Sequence, residues 1–435
     1  MTSSIKRAST RRVRAAGLPA IVCALAILGG NQAHAAVPAR VPARVPADSA
    51  LNVGVNAPFT GASAIIGTHF VRGVEAAAWD INHNGGVLGH TFNVVRADDQ
   101  DDAADGVAAI NKLIAIDQPV AVFGPSSDTA TAVVPIINRN QIVDWCLCGT
   151  TQLDHMTYKY IYRPSPGDSL QGSALAVWAH RRGYTRAALV FASDTGSQTL
   201  VGPVGSTFAT LGGHATINIK LLPDQSSYRS EVQRVLNSHP QVIFSELDPP
   251  TAATFFSEEL QLGGKVLPSI QSDSAAGLDY FNAVKKVIGA SRTASFLTVM
   301  QVYSPSYPGS AEFVNAYHHV YPGQAPLEFN TNGYDAMNIS ALAMLEAKST
   351  TPSAWVDKIA AITGNTSLPH VDSFAQGKAA IQAGKSVYYY GATGQITFNK
   401  NHNSSGNFAA TAFNPDGSFR QLGTLPAAEL QKFVR

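Results

Sequence analysis

Four groups of residues in this sequence have types and spacing that could do chemistry. Gly167-Asp168-Ser169-Leu170 could present a serine nucleophile, which needs a histidine base. Beyond Ser169 no aspartate is followed three residues later by a histidine, and neither Gly-x-Ser-x-Gly nor His-Glu-x-x-His occurs. Asp98, Asp99, Asp101, Asp102 and Asp105 could gather a cation, but the run lacks the glycine and terminal glutamate of an EF-hand loop. A solvated, aspartate-rich turn is the expectation there. His318 and His319 are adjacent on a predicted helix and point in different directions, so they make a poor metal pair. Cys146 and Cys148 stand one residue apart, and bridging them would close a strained small ring. Two buried thiols at a strand end are expected, with a Cys-x-Cys redox pair as the sharper alternative. No further ligands lie near enough in sequence for structural zinc. These patterns predict no catalytic residue, no metal and no cofactor.

The elements that would position a site alternate between apolar strands and amphipathic helices. Strands are predicted over 51–58, 91–97, 120–123 and 142–147, with helices over 69–83, 103–116 and 129–138 between them. Gly85-Gly86 closes the first helix. The same order returns with helices at 169–182, 198–211, 227–237 and 252–262, and strands at 187–191, 216–221, 242–245 and 266–270. Continuous apolar strands between helices mean parallel sheets covered on both faces. Two doubly wound α/β lobes are therefore expected, with the site in the cleft outside the carboxyl ends of the strands. After a strand at 296–303 the pattern turns helical over 310–320, 333–347 and 353–362, and ends in short strands near 395–398 and 408–413.

The chain has 435 residues, 45% hydrophobic and 14% charged, too apolar for disorder and too long for one small core. Its first 35 residues hold five basic and no acidic side chains, leaving 26 basic against 30 acidic in the remainder, a poor match for nucleic acid. A basic segment, an apolar run from Leu18 to Leu28 and Ala33-His34-Ala35 have the form of a cleavable signal peptide over 1–35. The run is too short to span a membrane, and Val22 before Cys23 is not the small residue that lipid attachment requires. A proline-rich tether is expected over 36–50, and a periplasmic or secreted location follows.

The residues from Leu51 onward resemble solute-binding proteins of the branched-chain amino acid type, the periplasmic components of ABC importers. The resemblance rests on Val53-Gly-Val-Asn-Ala-Pro-Phe-Thr-Gly61, Asp80-Ile-Asn82, Gly85-Gly-Val-Leu-Gly89, Asp98-Asp-Gln100 and Phe123-Gly-Pro-Ser-Ser127. It continues in Ser165-Pro166, Asp168-Ser-Leu-Gln-Gly172, Tyr334-Asp-Ala336 and Gly391-Ala-Thr-Gly-Gln-Ile-Thr-Phe398. It implies a type I periplasmic binding protein fold, a Venus flytrap of two lobes joined by three hinge crossings. By that analogy residues 51–165 and 302–402 form one lobe, and 166–301 and 403–435 the other. The resemblance also implies that Ser126, Ser127, Gly149, Thr150 and Thr151 meet a ligand's carboxylate at the start of a helix, where unpaired N–H groups favour an anion. Asp128 is taken to point to solvent there. Asp273 is placed to meet the ligand's ammonium, and Asp194 lies on the same side.

Three departures concern the ligand. Ile66, Ser193-Asp194-Thr195-Gly196 and Glu246-Leu247-Asp248-Pro249 stand where the family usually has aromatic walls, which puts a leucine-like ligand in doubt. Glu246 and Asp248 add negative charge and point to a more polar or cationic solute. The implied function is capture of a small polar metabolite, amino acid or amide-like, by a monomer that delivers it to an inner-membrane ABC permease. The rivals are a ligand-sensing lobe for a membrane signalling partner and a secreted α/β ester hydrolase.

Overall fold

A computed structural model describes residues 50–61, 63–303, 309–327 and 329–434; the expected signal peptide and almost all of the tether lie outside them. Five strands form the first sheet: β1 (Leu51–Ala57), β2 (Phe92–Asp98), β3 (Ala121–Ser126), β4 (Val143–Leu147) and β5 (Ile161–Tyr162). All are parallel, in the order β2-β1-β3-β4-β5. β1, β3 and β4 are buried almost throughout, as central strands covered on both faces must be, whereas the edge strand β2 is partly open. Helices α1 (Ala64–His83), α2 (Ala103–Lys112) and α3 (Ser127–Arg139) connect these strands. α1 begins five residues before the predicted start, because its first turn lacks apolar periodicity.

The second sheet contains β6 (Arg186–Ala192), β7 (His214–Leu221), β8 (Val242–Glu246), β9 (Ser269–Gln271) and β10 (Leu297–Val302). Between the sheets and within this one run α4 (Asp168–Arg181), α5 (Thr195–Thr210), α6 (Arg229–Asn237) and α7 (Pro249–Gly263). The chain then gives α8 (Leu278–Ile288), the helix that follows Asp273, and α9 (Ala290–Phe296), which has no counterpart among the expected elements. A final hairpin, whose strands Phe408–Phe413 and Phe419–Leu425 run antiparallel, is added beside β10. The helices that follow β10 return to the first sheet. Chief among them is 330–347, buried on nearly every side, and Trp145 in β4 donates its indole N–H to Ser340 on it at 2.7 Å. A Cβ at Gly73 would fall 1.9 Å from the Asn330 carbonyl oxygen, so only glycine lets α1 and this helix meet.

Three crossings join the lobes, and hydrogen bonds tie them to one another. Arg163 N–H donates to His402 O at 3.0 Å and Ser404 N–H to Arg163 O at 3.2 Å, pairing the first crossing with the third. Tyr303 N–H donates to Asn407 O at 2.7 Å, pairing the second with the third. The Arg163 side chain, 1% exposed, completes the joint: it donates to Asn403 Oδ1 at 2.7 Å, to the carbonyls of Gly149 and Thr150 at 3.1 and 2.9 Å, and to Asp154 at 2.5 Å.

Candidate functional site

In each sheet the strand order reverses direction, between β1 and β3 in the first and between β6 and β8 in the second. Loops that leave neighbouring strands there diverge to opposite faces and leave a crevice at the carboxyl ends. The two crevices face each other around a cavity of about 140 Å³. Ser63 and Ile66 after β1, Ser126–Asp128 at β3 and Leu147–Gly149 at β4 form one side. Asp194 after β6, Glu246–Asp248 at β8 and Asp273 after β9 form the other, with Asp168 and Gln171 of α4 between them.

Apart from Asp128, the polar groups of the first-lobe side are hydroxyls and backbone. Ser126 is 5% exposed and its Oγ has no partner. Ser127 Oγ accepts the Gly149 N–H at 3.0 Å, which leaves its own O–H free to donate. Gly149 is required by a close approach: a Cβ there would lie 1.9 Å from Asp168 Oδ1, while Asp168 N–H donates to Gly149 O at 2.7 Å. Five of the expected ligand residues, Ser126, Ser127, Gly149, Asp194 and Asp273, stand on the cavity wall. Thr150 and Thr151 do not: Thr150 is fully buried behind the wall with its Oγ1 accepting the Gln152 N–H at 3.4 Å, and Thr151 borders a separate depression with Thr195 and Lys220.

The second-lobe side is acidic. Asp194 caps α5 by accepting the Ser197 N–H at 2.7 Å, and Asp248 caps α7 by accepting the Thr251 N–H at 3.0 Å, with its other carboxyl oxygen buried and unpartnered. Glu246 accepts the Ser197 hydroxyl at 3.2 Å. Burial raises the Glu246 carboxyl well above the usual range, and the charges of Asp168, Asp194 and Asp273 add to this. Burial likewise lifts Asp168 to about 7 and Asp273 to about 6, against the hydrogen bonds from Thr199 and Gln171 that favour their charged forms. Among the described residues of the wall there is no lysine, arginine or histidine.

Several expectations are corrected. Asp128 does not point to solvent. Its carboxylate crosses the cleft and accepts the N–H groups of Thr195 at 2.7 Å and Gly196 at 3.1 Å at the open N-terminus of α5, while burial and the charge of Asp194 lift it to about 6. The aspartate run at the end of β2 does make a turn, but only part of it is solvated. Asp98 accepts the Phe59 N–H at 2.9 Å, Asp99 is fully buried and accepts Thr129 Oγ1 at 2.8 Å, and Asp101 accepts the Ser63 N–H at 2.8 Å. Only Asp102, which caps α2, and Asp105 are exposed. The run is a bracket that fixes the loop after β1 at the cavity edge. Cys146 and Cys148 form a disulfide in place of two thiols. Strand β4 ends at Leu147, so the backbone turns there and brings the two Cα atoms to 5.2 Å, within the range a disulfide spans. Ser169 donates its hydroxyl to Asp154, and no histidine lines the cavity among the described residues.

Asp168, Gln171, Ser197 and Phe329 also line the cavity and were not singled out as ligand residues. The spacing of Asp168 and Gln171, three apart on α4, puts both on one helix face and could have revealed them. Phe329 carries no signal in the sequence.

A family model described as Periplasmic binding protein matches residues 50–404. An amino acid binding protein of Pseudomonas aeruginosa is 39% identical over 79 residues, 18% of this chain and 21% of that relative, so the chain spans about a fifth of its length. Among solved structures, the leucine binding protein LivK of Thermotoga maritima aligns with a TM-score of 0.73 at 20% identity, covering 87% of this chain and 99% of its own. LivJ of Streptococcus pneumoniae, solved with isoleucine, gives 0.70 at 18% identity, covering 87% and 99%. The two-lobed α/β architecture, the cavity at both switch points and the match over most of the sequence agree: this chain belongs to the periplasmic binding protein family.

Proposed function

We propose that the protein captures a small polar solute, amino acid or amide-like, between its lobes and delivers it to an ABC importer. The observation that carries this reading is the cavity itself. It lies between the carboxyl ends of both sheets, so a solute held there contacts both lobes and biases the pair toward closure. The hydroxyls of Ser126 and Ser127 offer contacts for an oxygen-bearing end, and the Gly149 N–H holds Ser127 Oγ in place for it. Asp168, Glu246 and Asp273 receive an amino group. Phe329 is the single aromatic on the wall among the described residues, so the aromatic surface that would suit a large aliphatic side chain is small. Delivery to an importer is supported by the family and by the names of the relatives. A periplasmic location accords with the family and with the signal peptide expected over 1–35. Among the described residues no helix is long and apolar enough to cross a membrane.

Protein taken from its native source, denatured and examined by mass spectrometry, should release one small polar metabolite in near-stoichiometric amount. Adding that metabolite to refolded protein should raise Tm and shrink the radius of gyration in solution scattering. Release of no solute, with turnover of ester substrates abolished in Ser169→Ala, would defeat the reading.

A further inference from the structure

The acidic side of the cavity holds more carboxyl groups than an ordinary amino acid can pair. Six carboxylates line the wall: Asp128, Asp168, Asp194, Glu246, Asp248 and Asp273. Three of them are engaged by helix N-termini: Asp128 and Asp194 at α5, and Asp248 at α7. The other three, Asp168 in the first turn of α4, Glu246 at the end of β8 and Asp273 after β9, are held by neutral donors such as the hydroxyls of Thr199 and Ser197 and the Gln171 amide, and lie within electrostatic reach of one another. The basic group near them is Arg163, whose charge is already committed to Asp154 at 2.5 Å. Carboxylates taken out of water need a counter-charge, and the wall supplies none. A second, independent observation points to a ligand on the opposite side, since Ser126 is 5% exposed and its Oγ has no partner among the described residues. A neutral α-amino acid brings one ammonium and one carboxylate, so it leaves the excess charge in place. A simple carboxylate would worsen it.

Resting on the proposed role in solute capture, we infer that the ligand carries net positive charge: a small organic cation whose ammonium, amidinium or guanidinium group sits between Asp168, Glu246 and Asp273, with a polar end at Ser126 and Ser127. Proton linkage follows. Glu246 is faced by Asp168 from α4, by Asp194 at the start of α5 and by Asp273 after β9, while Asp168 is also near Arg163 and Asp154. In the empty cavity Asp168 and Asp273, lifted to about 7 and about 6, hold part of a proton at neutral pH. A bound cation favours their ionised forms and expels those protons, so affinity rises with pH through this range and is lost as pH falls below it.

Isothermal titration of the full mature protein with lysine, arginine and putrescine, and with leucine, glutamine and benzoate, tests this directly. At least one of the cationic probes should bind tenfold or more tightly than every neutral or anionic one, weaken at least tenfold from pH 8 to pH 5, and release protons in buffers of different ionisation heat. Glu246→Gln should lose at least tenfold of that affinity while the empty protein melts no lower than wild type, which separates lost binding from lost folding. If leucine, glutamine or benzoate binds tightest with no proton release, the inference falls and the capture reading stands. If no probe binds and denaturation frees no solute, both fall.

Discussion

At the first sheet the strands that reach the cavity end in Ser126, Ser127 and Gly149; at the second they end in Asp194, Glu246, Asp248 and Asp273. Both sides arise from the same geometry, a reversal of strand order that opens a crevice at the carboxyl edge. Their chemistry is opposed. One side presents neutral donors whose positions depend on a glycine contact and a disulfide-bonded turn, the other carboxylates fixed at helix starts and strand ends. A solute that spanned them would meet hydroxyl donors at one end and carboxyl groups at the other, and the Asp128 carboxylate of the first side reaches the N–H groups of the second.

The sharpest way to break that opposition is to invert the acidic side. Glu246→Lys places a cation among Asp168, Asp194 and Asp273 and occupies the ligand's own position, so titration should find binding reduced by more than about a hundredfold, near 3 kcal/mol. Removing the contact between the sides comes next. Asp128→Ala deletes two charge-assisted hydrogen bonds across the cleft, and about 2 kcal/mol lost from the closed state should appear in stopped-flow as solute release roughly thirtyfold faster. On the neutral side Ser126→Ala removes one unpartnered hydroxyl. Affinity should fall about fivefold, on the order of 1 kcal/mol, with Tm unchanged or raised, since no bond within the protein is lost. Thr151→Ala, off the cavity wall, should change affinity by less than about twofold. A loss at Thr151 as large as that at Ser126 would show that the neutral side is drawn wrongly.

Much of the architecture was legible because the pattern is regular. Apolar strands in alternation with amphipathic helices require parallel sheets, and β1, β3 and β4 are buried as such strands must be. Many residues that carry the family resemblance proved to be scaffold. Asn82 clamps both the N–H and carbonyl of Phe92, Tyr334 donates to Asp80 at 3.0 Å, and Asp335 accepts the N–H groups of Ala392 and Thr393 at 3.0 and 2.7 Å. The site was legible only where a strand end announces it, as at Ser126 and Glu246. Asp128 was misjudged because its partner, the start of α5, lies 67 residues away and belongs to the other lobe. The aspartate bracket was misjudged for a related reason: local composition reads as solvation when the amides it holds come from a loop some 40 residues earlier. The helix 290–296 was missed where glycine at 289 broke the pattern into a piece too short to stand out.

The buried Arg163 has a mechanical consequence. Because one guanidinium grips the turn after β4, Asp154 and the third crossing, the joint is a clamped axle and not three loose strings. Any swing of one half against the other would have to pivot at this tie, with the first and third crossings moving as one piece.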